Sequence, residues 1–109
     1  MPPTRDTLHG TLDALGLKTL SWGPRHGYAV TRWIAETSGE RIRIEEGSLY
    51  PALYRLERQG LISARWGTSE LGRRARFYEL TPAGRRQLRE ELEGFRSFVA
   101  AVAPILLTG

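Results

Sequence analysis

Apolar residues fall along this chain in short periodic groups set apart by glycine and proline, and the period changes from group to group. Leu8, Leu12, Leu15 and, more loosely, Trp22 recur at helical spacing, which predicts a first helix from about Thr7 to Leu20. Gly16 weakens that helix slightly. The string Trp22-Gly23-Pro24-Arg25-His26-Gly27 then interrupts the pattern. Val30, Trp33, Ile34 and Thr37 share one side of a second helix, from about Gly27 to Thr37, and Gly39 ends it. Arg41 to Glu45 alternates charged and apolar residues, the period of a short half-buried strand. A third helix, about Ser48 to Gln59, carries Leu49, Ala52, Leu53 and Leu56 as its buried stripe, with Gly60 as a left-handed stop. Pro51 is tolerated there if it falls in the first turn, where few backbone donors have partners.

Two extended segments follow, Leu61 to Trp66 and Ala75 to Leu80, joined by a polar tip bracketed by Gly67 and Gly72. Thr81-Pro82 opens a last helix: Thr caps and Pro sits at the favoured first position. Pro104 is expected to kink or end it near Ala103. Helix, helix, short strand, helix, strand, strand, helix is the order of a winged helix-turn-helix. The expected fold is therefore mostly α with a small β-hairpin wing, plus a C-terminal dimerisation helix. Residues 1–81 form the expected DNA-binding domain and 82–109 the dimerisation helix.

The third helix is two-faced. Opposite its leucine stripe stand Tyr50, Tyr54, Arg55 and Arg58, with Ser48 at the N-terminal edge. A recognition helix needs this: apolar residues dock it while Arg, Ser and Tyr reach base edges and phosphates. The plainer alternative is an amphipathic helix with a solvated basic face. The hairpin adds Arg73, Arg74 and Arg76 beside Thr68 and Ser69, which suits a clamp on the DNA backbone or the minor groove. Its alternative is a solubilising loop.

Three stretches carry a resemblance. Gly23-Pro24-Arg25-His26-Gly27-Tyr28, the run Glu46 to Glu57 containing Gly47-Ser48-Leu49-Tyr50-Pro51-Ala52-Leu53, and Arg76 to Gly84 with Gly60-Leu61-Ile62 before it resemble the PadR family of bacterial transcriptional regulators. The resemblance implies a cytoplasmic repressor that binds palindromic operators as a dimer. It places Ser48, Tyr50 and the exposed residues after them in the DNA-reading segment, and Arg73, Arg74 and Arg76 in the wing. Tyr28 matches a family aromatic beside the helix-turn-helix, with packing and phosphate contact both open to it. A small-molecule effector is compatible with the resemblance, which names none.

The last helix carries Leu88, Leu92, Phe95, Val99, Val102 and Leu106 at alternating spacings of four and three, a heptad seam. Such a seam packs along a partner helix in a homodimer or covers the protein's own core. At 109 residues the chain makes a modest core alone, which favours a partner. With 40% hydrophobic and 26% charged residues the composition is globular. The net charge of +4 rests almost wholly on arginine, Lys18 being the exception, and arginine suits phosphates and guanine edges. The absence of Cys excludes disulfides and thiolate chemistry. His9 and His26 lack metal-ligand spacing, so neither metal nor cofactor is expected. Without a glycine-rich phosphate loop or a base near Ser48, no enzyme is expected. The first ten residues lack the apolar run of a leader, and Phe98 to Leu107 is too short to span a bilayer, so no membrane association is expected. Trp22, Trp33 and Trp66 serve an effector pocket or the core. The competing reading is a winged-helix protein-interaction module without DNA binding; Arg55, Arg58 and the wing arginines speak against it.

Overall fold

The computed structural model describes residues 5–109 in backbone and residues 11–109 in side chains. Expectations resting on residues 1–10, namely the missing leader and the places of Leu8 and His9, lie outside the described side chains. The elements run α1 (Arg5–Leu20), β1 (Arg25–His26), α2 (Gly27–Thr37), α3 (Glu46–Arg58), β2 (Ile62–Thr68), β3 (Arg74–Leu80) and α4 (Pro82–Leu106). The strands make one antiparallel sheet in the order β1-β3-β2, and with the helices they form the expected mostly-α winged helix. Among the described residues no helix is long and apolar enough to cross a membrane.

α1 lies at the centre, in contact with α2, α3, β3 and α4. The expected first helix is present, ending at Leu20 as predicted, but a helix covered on several sides needs no single stripe, so its spacing did not say which residues it buries. Leu17 and Leu20 are buried, Leu12 and Leu15 only partly, and Trp22 lies beyond the helix at 67% exposure. Thr19 is buried too, its hydroxyl donating to the Leu15 carbonyl. Val30 and Ile34 of α2, the whole predicted stripe of α3, and Ile62, Tyr78 and Leu80 of the sheet complete the core around α1. Each large side chain taken fully out of water contributes about 1.5–3 kcal/mol.

Four expectations change. Arg41 to Glu45 forms no strand: Arg25–His26 pairs with β3, while Ile44 packs on the core from a loop. The alternation there does not mark a buried face, since Ile42 is exposed like its charged neighbours and Ile44 alone turns inward. α3 begins at Glu46, so Pro51 stands in its second turn, leaving the exposed Gly47 carbonyl without its usual backbone donor. Pro104 does not end α4 near Ala103; it lies in the last turn, and the helix continues to Leu106. Finally, the seam of α4 divides. Leu88 is buried in the protein's own core and Leu92 packs against it, whereas Phe95, Val99 and Leu106 are exposed and Val102 half-buried.

The two ends that bracket the wing are tightly made. Leu61 N–H donates to the Leu56 carbonyl and Gly60 N–H to that of Glu57, a double closure of α3 that Gly60 permits with φ of 74°. Thr81 caps α4 by accepting from Gly84 N–H at 3.0 Å, and donates its hydroxyl to the Gly60 carbonyl at 2.6 Å.

Candidate nucleic-acid interface

α3 turns its leucines inward and thereby fixes what faces out. Tyr54 is 61% exposed, and the Arg58 guanidinium lies 5.6 Å from the centre of its ring. Ser48 is exposed one turn into the helix. Tyr50 is exposed as well, but its ring rests on Gly27 at the start of α2: a Cβ there would stand 2.7 Å from the Tyr50 hydroxyl. Gly27 is therefore the residue that lets the two helices close.

His26 holds the first turn of α2, its Nδ1 accepting from Ala29 N–H at 3.3 Å and its ring meeting Phe77 edge to face. This is a structural role. Tyr28 then projects into solvent, with Arg32 one turn further along the same face.

The wing extends a sheet face beyond the core that filled it. Ile62, Ala64, Tyr78 and Leu80 occupy one face near its base, and the register pairs Trp66 with Arg76 and Thr68 with Arg74 on that same face further out. Past the last buried pair, apolar residues give way to Trp, Thr and Arg. The Arg74 guanidinium sits 4.6 Å from the Trp66 ring centre. At the tip Ser69 Oγ accepts from Arg73 N–H, and Ser69 N–H donates to the Arg73 carbonyl at 2.7 Å. Arg73, Arg74 and Arg76 are all exposed.

Between α2 and the wing runs a groove of about 1070 Å³, walled by Tyr28, Arg32, Tyr50, Trp66, Arg74 and Arg76 among others. Tyr78 lies at its floor; burial raises its hydroxyl pKa above the ordinary value, and Arg76 opposes the rise. Arg32 is held more firmly protonated by its hydrogen bond to Glu36 and by Glu40. The site thus gathers Tyr28, Tyr50 and the wing arginines, with Tyr54 and Arg58 on the outward side of α3. Two predicted cations are already engaged: Arg55 Nη2 donates to Asp13 Oδ1 and Arg76 Nη2 to Glu57 Oε2, both at 2.9 Å. The tryptophans do not converge, since Trp22 lines a cleft of about 150 Å³ with His26 and Phe77 while Trp33 and Trp66 line the groove. Arg32 was missed, though Tyr28 and Arg32 at i and i+4 was a readable signal.

A sequence model of the transcriptional regulator PadR-like family matches residues 17–90. The chain is similar to a transcriptional regulator of Mycobacterium tuberculosis, 41% identical over 66 residues, which cover 61% of this chain and 58% of that protein. It also resembles the structure of a PadR family transcriptional regulator from Eggerthella lenta, with 34% identity, a TM-score of 0.78, and coverage of 94% of this chain and 88% of the other. A transcriptional regulator from Clostridium thermocellum superposes with a TM-score of 0.80 at 28% identity, covering 90% and 95% of the two chains.

Proposed function

The chain belongs to the PadR-like family of transcriptional regulators, whose members are not enzymes, and on that premise we propose that it is a repressor binding an inverted-repeat operator as a homodimer. The observation that carries the reading is the outward pair Tyr54 and Arg58 on α3, standing on a helix flanked by a wing that bears Arg73 and Arg74. In this reading α3 enters the major groove. Ser48, Tyr54 and Arg58 face base edges, and Arg58, with two parallel donors, suits a guanine. Tyr28 and Tyr50 border the DNA strand at the α2 side, while the wing arginines meet phosphates or the minor groove. The exposed apolar end of α4 supports association, because a contiguous apolar surface of that kind is costly to leave in water.

Selection from a random DNA pool, followed by titration of the enriched sequence, tests the proposal. An inverted repeat with half-sites about one helical turn or a multiple apart is the expected outcome. Arg58→Ala should cost ~1–3 kcal/mol on that operator and relax preference at a particular base pair. A pool that yields no preferred sequence, with equal binding by wild type and a Tyr54→Ala/Arg58→Ala protein, would instead favour the protein-interaction module.

A further inference from the structure

Apolar packing of Leu49, Ala52, Leu53 and Leu56 fixes which face of α3 is buried, and directional bonds at the flanks of that stripe trim the angle at which the helix sits. At roughly 100° per residue, Arg55 and Glu57 stand on opposite flanks of the buried stripe. Each flank is tied by a directional bond. On one side Arg55 reaches Asp13 of α1; on the other Glu57 receives Arg76 of the wing. Among the described residues Asp13–Arg55 is the one ion pair joining α1 to α3. α1 is also the element on which α2, β3 and α4 pack, so this bond ties the exposed helix to the centre of the molecule. The Asp13 side chain is 21% exposed and that of Arg55 36%, a depth at which a charge-assisted bond is screened less than on open surface. A guanidinium turned inward to a carboxylate is aimed away from the face that carries Tyr54 and Arg58.

We propose that Asp13 and Arg55 form a positioning pair: they set the angle of α3 against α1, and Arg55 serves recognition through that angle and not through a DNA contact of its own. The proposal rests on the DNA-binding reading above. A small change in the angle of α3 presents Tyr54 and Arg58 to shifted base edges, and in a two-fold dimer the error is made in both half-sites. Affinity then falls without loss of any phosphate contact.

Operator affinity at several salt concentrations is measured for the full-length chain, Asp13→Asn, Arg55→Ala, and the exchanged pair Asp13→Arg with Arg55→Asp, with circular dichroism as the check on folding. Asp13→Asn and Arg55→Ala should each weaken binding about tenfold with the salt slope unchanged, because the two residues act as one unit and touch no phosphate. Asp13→Asn should also lose preference between operators whose half-sites differ by a base pair in spacing, a change that mere loss of stability does not produce. The exchanged pair should return to within about threefold of wild type, since the bond is remade with its charges reversed. A folded exchanged pair that stays weak, an Asp13→Asn protein that binds like wild type, or an Arg55→Ala protein with a flattened salt slope each overturns the proposal. If the exchanged pair does not fold, the other two variants decide. A wild-type chain that selects no operator defeats the DNA reading itself; a selected operator with indifferent Asp13 variants defeats only the pair.

Discussion

A methyl group added at Gly84 would stand 2.0 Å from the carbonyl oxygen of Leu61, and that oxygen already accepts Thr81 N–H. Neither partner is a flexible side-chain end, so the start of α4 would have to move off the end of α3. Gly84→Ala is expected to cost about 3 kcal/mol in chemical denaturation. Gly94, ten residues on in the same helix, meets nothing within 4 Å, so Gly94→Ala should stabilise by ~0.5–1 kcal/mol through helix propensity. Equal effects at the two sites would contradict the close approach. At this scale the sequence was only partly legible. Thr81 as a cap follows from its place before Pro82, but the burial of Gly84 against Leu61 comes from contact between residues far apart in the chain. The same holds for Tyr50 on Gly27 and for Arg55 on Asp13: helical position sends them outward or to a flank, and only the neighbouring element says what they meet there.

Among the elements, those with a strong period were legible and those shaped by their neighbours were not. α3 and α2 follow from their leucine and valine stripes because each buries one face. α1 was legible as a helix while its contacts on several sides hid which residues it buries, and the loop holding Ile44 alternates in sequence without a ladder, with Ile44 alone packed inward and Ile42 exposed. The wing was visible as two extended segments and a polar tip, while the sharing of one face by Trp66, Arg74 and Arg76 required the register. That sharing sets a prediction. An exposed cation–π contact contributes only ~0.5–1 kcal/mol, so Arg74→Ala should leave the fold almost as stable as before. Its effect should fall on DNA: weaker binding to all sequences alike, and a salt slope flatter by roughly one unit for a lost phosphate contact. Titration against operator and unrelated DNA at several salt concentrations reads both. A loss confined to the operator, with the slope unchanged, would move Arg74 from backbone clamp to base reader.

As a whole the molecule is longer than its chain length requires. Its extents are 54 × 29 × 23 Å and its radius of gyration 15.3 Å, against about 13 Å for a compact chain of this size. α4 is the source of the excess, since Leu88 and Leu92 lie on the body while Phe98 is 63% exposed and Leu106 75%. The heptad spacing was legible in sequence; where the seam passes from the protein's own core to open surface was not, because spacing carries no information about what lies opposite. That division decides how association must be tested. A charge at Leu92 would damage the core and the outer seam together, so loss of a dimer there would be ambiguous. Phe98 and Val99 are exposed in the single chain, and Phe98→Asp with Val99→Asp should leave its helix content and core intact. If a second copy covers this face, each large side chain buried contributes ~1.5–3 kcal/mol before the costs of association, and two such losses per subunit are enough to separate a small dimer. Sedimentation should then show wild type at twice the chain mass and the double variant at the chain mass, folded by circular dichroism and bound to the inverted repeat far more weakly. A folded double variant that still sediments at twice the chain mass would place the contact between subunits somewhere other than the outer half of α4.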